Sequence, residues 1–443
     1  MGVLLQGFYW DCFEEGEWWP RVRTQIEKLA EVGFTGLWLP PVHKGAHIYG
    51  APSMGYDPFD YYDLGEFDQR GRTPTSFGTK AQLLDLIGAA HGAGMTVLAD
   101  VVFNHCSGGE AEPNPYAGKE TYTLFKPASG RFPRDHECFH PTFWETMDGE
   151  AFGDMPDLCH RSPYVGGQIL DLCRWLVEEV GFDGFRYDMV KGYGSWMVAA
   201  IQEQRYEKDG VAFKPFGVGE QWSTDRGIEN WLNEVNAWPD NPVSAFDFPL
   251  RNLLKEMCDT YGFSMRRLLD TSVLTQRQPH RAVTFVDNHD FRGPTDGGDL
   301  VIHDKLLAYA YLLTHEGLPC VFWWDYFNQG LAMEGTPNGI AALVQAHEKY
   351  AGGAVRNLWV DDDLYVMQRA GTDAQSGLIV ALNNRGDRWE GEWVSTQWRN
   401  RILKPVAWWS STDLGRPTDQ PVAADGRAQI WAPPRGYVVY AVS

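Results

Sequence analysis

The chain has 443 residues, too many for one ordinary core and enough for two or three. Apolar residues make up 44% and charged residues 22%, the balance of a chain that folds rather than one that stays disordered. With 38 basic against 59 acidic residues the formal charge is −21, which repels phosphate backbones and anionic lipid and argues against a nucleic-acid or membrane-surface partner.

Residues 1–6 (MGVLLQ) enter a strand without a basic leader or cleavage signature, so the chain as given reads as cytoplasmic. A start Met replacing a removed signal peptide would look the same and keeps an extracellular location open. No apolar run approaches the roughly 20 residues that span a bilayer. Seven cysteines, at 12, 106, 138, 159, 173, 258 and 320, follow no disulfide spacing and read as reduced, buried thiols with room for one metal ligand. Aromatics at 14% mean heavy core packing or a surface that stacks on sugar rings.

In chain order, strand-like runs fall at 3–6, 36–40, 96–103, 184–188, 216–220, 245–248, 282–286 and 319–323, with helix-length segments between them. Among these, 18–31 and 79–92 carry apolar residues at helical spacing. Strands that are apolar on both faces belong to a parallel sheet covered by helices. Eight such units over about 350 residues predict an α/β fold, a closed (β/α)8 TIM barrel, with a doubly wound open sheet as the alternative. The segment 106–159 is rich in Gly, Pro, His and Asp and lacks helical period, so it reads as a functional loop or small subdomain. After Gly352 short alternating runs and Gly/Pro/Asn turns predict an antiparallel β-sandwich. The expected division is therefore a barrel over 1–105 and 160–351, an inserted subdomain over 106–159, and a sandwich over 352–443.

Reactive groups in such barrels lie where strands end. Three predicted strands end in carboxylates: Asp188 in GFRYDMVKG, Glu220 in GVGEQW and Asp290 in FVDNHD. Arg186, Lys191, His105 and His289 lie among them. Crowded carboxylates raise at least one pKa, which keeps one carboxyl protonated near neutrality, and a carboxylate with a carboxylic acid is the equipment for splitting a glycosidic bond. For any single acid the commoner fate is a helix cap or a solvated loop; three at strand ends, joined by Arg and two His, argue against coincidence.

These stretches resemble the signature segments of the α-amylase family of glycoside hydrolases, and QGFYWD, GLWLPPVHKG, SMGYDPFDYYDLGEF, PDLCH and AVTFVDNHD are similar, in the same order, to its plant-like and archaeal members. The likeness covers about residues 3–350. It implies that Asp188 is the nucleophile of a covalent glycosyl–enzyme, that Glu220 is the acid and then the base, and that Asp290 is the third acid, gripping ring hydroxyls. It further implies that His105 and His289 hydrogen-bond the sugar whose bond breaks, that Arg186 supports the nucleophile, that Tyr56 stacks on that sugar, and that Lys191 reaches the leaving-group side. For Trp10, Trp18, Trp19, Trp222 and Phe59 a place in the sugar groove stands beside plain core packing.

The resemblance also implies a Ca2+ site on the side chains of Asn104, Asp148 and Asp157 and the carbonyls of Glu150 and Gly192, oxygen donors of the kind a hard cation takes. A turn at Asp148 and a cap at Asp157 are the plain alternative. Archaeal members can carry Zn2+ on two His and one Cys. Here His140 and Cys159 match while Glu145 occupies the second His position; Glu can ligate zinc, and an inert Cys159 thiol is the alternative. The function implied is retaining endo-hydrolysis of α-1,4-glucosidic bonds in starch, glycogen and maltooligosaccharides by a chain expected to act as a monomer. The alternatives are an exo-acting maltooligosaccharide-forming enzyme, a 4-α-glucan transglycosylase, and a non-catalytic sugar-binding relative.

Overall fold

The computed structural model describes residues 2–13, 16–46, 52–292, 298–412 and 415–442. Eight parallel strands close into a barrel in sequential order: β1 (Leu4–Gln6), β2 (Gly36–Leu39), β3 (Thr96–Val101), β4 (Gly184–Tyr187), β5 (Phe216–Gly219), β6 (Ser244–Phe246), β7 (Ala282–Phe285) and β8 (Leu318–Phe322). Nearly every barrel-strand residue is buried, as the continuous apolar runs require of a sheet covered on both faces. By compactness the chain falls into two units, one of Gly7–Ala30 and Gly36–Phe246, the other of Met1–Gln6, Glu31–Thr35 and Asp247–Ser443.

In the first unit β2 to β6 run side by side. The helix expected over 18–31 is two helices, Trp18–Arg23 and Ile26–Val32. The break follows from Thr24, whose hydroxyl turns back to donate to the Arg21 carbonyl at 2.7 Å. The helix Lys80–Gly92 starts on a full capping box: the Thr79 hydroxyl accepts from the Gln82 amide, and the Gln82 side chain accepts from the Thr79 amide. The segment after β3 contains a hairpin, Glu110–Asn114 with Lys119–Leu124. Its turn is built by Asn114, whose side-chain oxygen accepts from the amides of Tyr116 and Ala117.

In the second unit β1, β8 and β7 are neighbours, and the rest is the C-terminal region. The strand run expected to reach 248 stops at Phe246. Asp247 instead caps the helix Phe248–Asp259, accepting from the Leu250 amide, and its other oxygen takes the amide and hydroxyl of Thr275. The alternating C-terminal stretch forms eight strands, from Val355–Val360 to Gly436–Val442. They form a six-stranded and a two-stranded antiparallel sheet. Leu364, Val366, Ile379 and Val438 of one sheet and Val394, Ala428 and Ile430 of the other share a core, which makes a sandwich.

Candidate active site

The parallel register sets Asp100 of β3 beside Arg186 of β4. Two residues on, past the end of β4, comes Asp188, and Glu220 follows β5. One buried guanidinium serves all three acids. Arg186 Nη1 donates to Asp100 Oδ1 at 2.8 Å and to Asp188 Oδ1 at 2.7 Å, and Nη2 lies 2.6 Å from Glu220 Oε1. The other Glu220 oxygen accepts from the Met189 amide at 3.0 Å, and Met189 takes a left-handed backbone (φ 42°) directly after Asp188. Burial pushes Asp100 up to about 6, against the pull of Arg186 and Tyr56. Burial opposes the charge on Arg186, but Asp100, Glu220 and Asp188 outweigh it and lift its pKa well above the ordinary value. The side chains of Asp188 and Glu220 are each 10% exposed against 0% for Asp100, so solvent reaches the first two only.

Tyr56 donates its hydroxyl to Asp100 Oδ2 at 2.8 Å, and its ring lies parallel to Trp10, centroids 6.0 Å apart. Lys44 holds the segment 67–74. The buried ammonium donates to the carbonyls of Phe67, Arg72, Thr73 and Pro74 and pairs with Asp63. His105 Nε2 sits 2.9 Å from the Tyr56 carbonyl, and the imidazole stacks on Phe152 at 4.5 Å. Burial lowers its pKa, so it is neutral at pH 7. Lys191 pairs with Glu150 at 2.9 Å. Trp18 and Trp19 are core residues, Phe59 is buried, and Trp222 is exposed.

A second cluster of donors lies in the same unit. Three segments pair through their backbones: the Leu158 amide donates to the Asn104 carbonyl, His140 to Asp157, and Cys159 to Cys138. This threading brings together Asn104, Asp157, Asp148 and His140. Buried Oδ1 atoms of Asn104, Asp148 and Asp157 have no hydrogen-bond partner. Gly192 is a glycine for steric reasons: a Cβ there would sit 2.0 Å from Asn104 Oδ1 and 3.0 Å from the Glu150 carbonyl. Glu150 in turn donates its amide to the Lys191 carbonyl. Ligand atoms of His140, Glu145 and Cys159 lie within 4.8 Å of one another, and His140 Nε2 and Glu145 Oε2 are also buried without partners. Burial would lower the His140 pKa, but Asp157 and Cys159 outweigh it and push it up to about 10.

In the other unit, Asp290 follows β7 by five residues and its amide donates to Asn288 Oδ1. His289 Nδ1 lies 2.9 Å from Gln6 Nε2 of β1, and its Nε2 lies 3.6 Å from Asp290 Oδ2. Behind them Asp287 is pinned by Arg251 at 2.9 Å and Lys305 at 2.9 Å. Burial pushes Asp287 up to about 6 while both cations restrain it.

The model of the α-amylase catalytic domain matches residues 19–326, and that of the α-amylase C-terminal region matches 378–441. An α-amylase of Geobacillus stearothermophilus is 32% identical over 88% of this chain and 79% of its own length. The chain belongs to the α-amylase family. Another relative, a glucan 1,4-α-maltohexaosidase of Bacillus sp. (strain 707), is 30% identical over 88% of this chain and 84% of its own. The crystal structure of an α-amylase from Geobacillus thermoleovorans complexed with acarbose shares the fold, with TM-score 0.69 and 20% identity over 100% of this chain and 98% of that one.

Within this α-amylase-family barrel, sequence reasoning missed Asp100, Trp38, Gln6 and Phe152. Asp100 lies at the end of the third predicted strand, but its meaning depends on register with Arg186, 86 residues away. Gln6 and Phe152 carry no local signal.

Proposed function

We propose that this chain hydrolyses internal α-1,4-glucosidic bonds of starch, glycogen and maltooligosaccharides with retention of anomeric configuration. The observation that carries the reading is the single guanidinium of Arg186 held between Asp188 and Glu220, at 2.7 and 2.6 Å. In the first displacement Asp188 attacks the anomeric carbon, the bond to the leaving oxygen breaks, and Glu220 delivers its proton to that oxygen. In the second, water attacks the anomeric carbon while Glu220 takes its proton, and Asp188 leaves. Arg186 keeps Asp188 ionised and aimed, since a guanidinium favours the charged carboxylate. Asp290 is the third acid, Tyr56 the ring under the sugar, His105 and His289 its polar neighbours, and Lys191 a contact on the leaving-group side. The maltohexaosidase among the relatives favours a second reading, in which products of fixed length are released.

The donor clusters fit two cations. The orphaned oxygens of Asn104, Asp148 and Asp157 are the hard donors Ca2+ takes, completed by the carbonyls of Glu150 and Gly192. When bound, Ca2+ supplies structural charge neutralisation and no reaction step. His140, Glu145 and Cys159 are a donor set suited to Zn2+. The insertion 106–159, which holds most of these donors, is the subdomain of the expected three-part division, with the sandwich over 352–443. The seven buried thiols support a compartment that keeps cysteines reduced.

The test is a product analysis on soluble starch and maltoheptaose with the anomer followed by NMR. We expect α-anomers from internal cuts, and a loss of about 10³-fold or more in kcat for Asp188→Asn and for Glu220→Gln with unchanged far-UV spectra. Near-native turnover in either variant would refute the assignment.

A further inference from the structure

We propose that the C-terminal sandwich carries a binding site of its own for α-1,4-glucan, an aromatic hollow walled by Trp389 and Trp431 that holds the polymer without cutting it. The inference rests on the reading of the chain as a hydrolase of that polymer.

Register explains how the hollow is built. In the two-stranded sheet Glu390–Ser395 pairs with Arg427–Ala432, setting Gly391 opposite Trp431 and Val394 opposite Ala428. Val394, Ala428 and Ile430 belong to the core, so the alternate residues Gly391, Trp393, Arg427 and Trp431 take the outer face. A Cβ on Gly391 would run into the indole of Trp431, so the ring lies flat across the partner strand. A ring over a strand glycine also mends a weak point in a sheet, and that service alone would explain the pair. It does not explain the polar groups gathered beside it. Trp431 shares a hollow of about 320 Å3 with Trp389, Tyr440, Arg416, Thr418 and Gln420. That volume falls within the roughly 300–1,000 Å3 of small-ligand sites.

The parts are fixed by their own hydrogen bonds. Tyr440 donates its hydroxyl to the Trp431 carbonyl at 3.1 Å. The Gln420 side-chain amide donates to the carbonyl and the hydroxyl of Thr418 at 3.0 and 3.2 Å. Trp389 and Trp431 are half-buried, and Arg416 and Thr418 are exposed. A glucosyl unit has an apolar C–H face and a rim of hydroxyls. Indole faces cover the first, and the Arg416 guanidinium with the Thr418 and Gln420 dipoles meets the second. An anion would be drawn to Arg416 but repelled by a chain of −21, and a purely apolar partner would strand these polar groups. The ligand is therefore neutral, rich in hydroxyls and flat on one side, which describes the polymer the chain is proposed to cut. Trp393, 53% exposed on the outer face of the same sheet, extends the aromatic surface for a ligand longer than one sugar.

The full chain and its Trp431→Ala and Arg416→Ala variants are compared for adsorption to starch granules in the cold and for kcat/KM on maltoheptaose in solution. We expect adsorption to weaken about tenfold in Trp431→Ala and about threefold in Arg416→Ala. Turnover of maltoheptaose should stay at the wild-type level, because Asp188 and Glu220 act on a short soluble substrate without the sandwich hollow. Arg416 is exposed and lies outside the core, so Arg416→Ala decides the matter if Trp431→Ala does not fold. Wild-type adsorption in either folded variant would overturn the proposal, and so would a loss of maltoheptaose turnover equal to the loss of adsorption. Failure of the underlying reading looks different: wild type leaves maltoheptaose intact, whether or not it adsorbs.

Discussion

At the scale of single residues, the charges that matter are those with several partners. Asp183 shows the same logic as Asp100 with the opposite sign. Burial would raise its pKa, but His91 at 2.8 Å, Lys208 at 2.5 Å and the Val97 amide at 2.8 Å outweigh it and hold the carboxyl below its ordinary value. A folded value below the unfolded one gives stability that is present above the unfolded pKa and lost as pH falls through the folded one. Denaturant unfolding of wild type should therefore lose stability below about pH 4, and Asp183→Asn should flatten that acid-side slope while lowering stability at pH 7. Equal slopes in the two proteins would remove Asp183 from the acid response. The acids proposed to react were legible in the sequence. In strands buried on both faces, a carboxylate at the end of an apolar run breaks the pattern, and Asp188, Glu220 and Asp290 each did so. The contact of Asp100 with Arg186 was not legible, since a single sequence does not state which strand residues lie side by side.

Among elements, what could be read from sequence depended on burial. The barrel strands announced themselves as continuous apolar runs. The hairpin Glu110–Asn114 with Lys119–Leu124 did not, since most of its residues face solvent and no alternation marks it. The first helix was over-extended because hydrophobic period ignores a hydroxyl such as that of Thr24 that bonds back to the turn. Caps were legible in principle: Thr79 with Gln82 three residues on is the capping-box pattern. Thr79→Ala should cost about 1 kcal/mol in chemical denaturation, and Gln82→Ala less. No measurable change in Thr79→Ala would mean that packing of Leu83, Leu86 and Ile87 alone fixes this helix.

For the molecule as a whole, the barrel and sandwich follow from patterning, while the surroundings of the site follow from how loops are tied down. The segments 67–74 and 143–155 carry two different kinds of polar cluster. One uses the Lys44 ammonium inside four carbonyls and Asp63; the other has the partnerless oxygens of Asn104, Asp148 and Asp157, for which a bound cation is proposed above. Chelator should therefore lower the melting temperature, and added Ca2+ should restore it, by mass action on the folded state. An unchanged melting temperature would count against the cation.

The Lys44 clamp has a further consequence. Its positive charge is tethered by a side chain and cannot be dialysed away, whereas the charge proposed for the Asn104, Asp148 and Asp157 cluster is exchangeable. Stripping divalent ions should open one stretch of backbone to a protease at 143–155 and leave 66–74 uncut, so the first cleavage would report loss of the exchangeable charge.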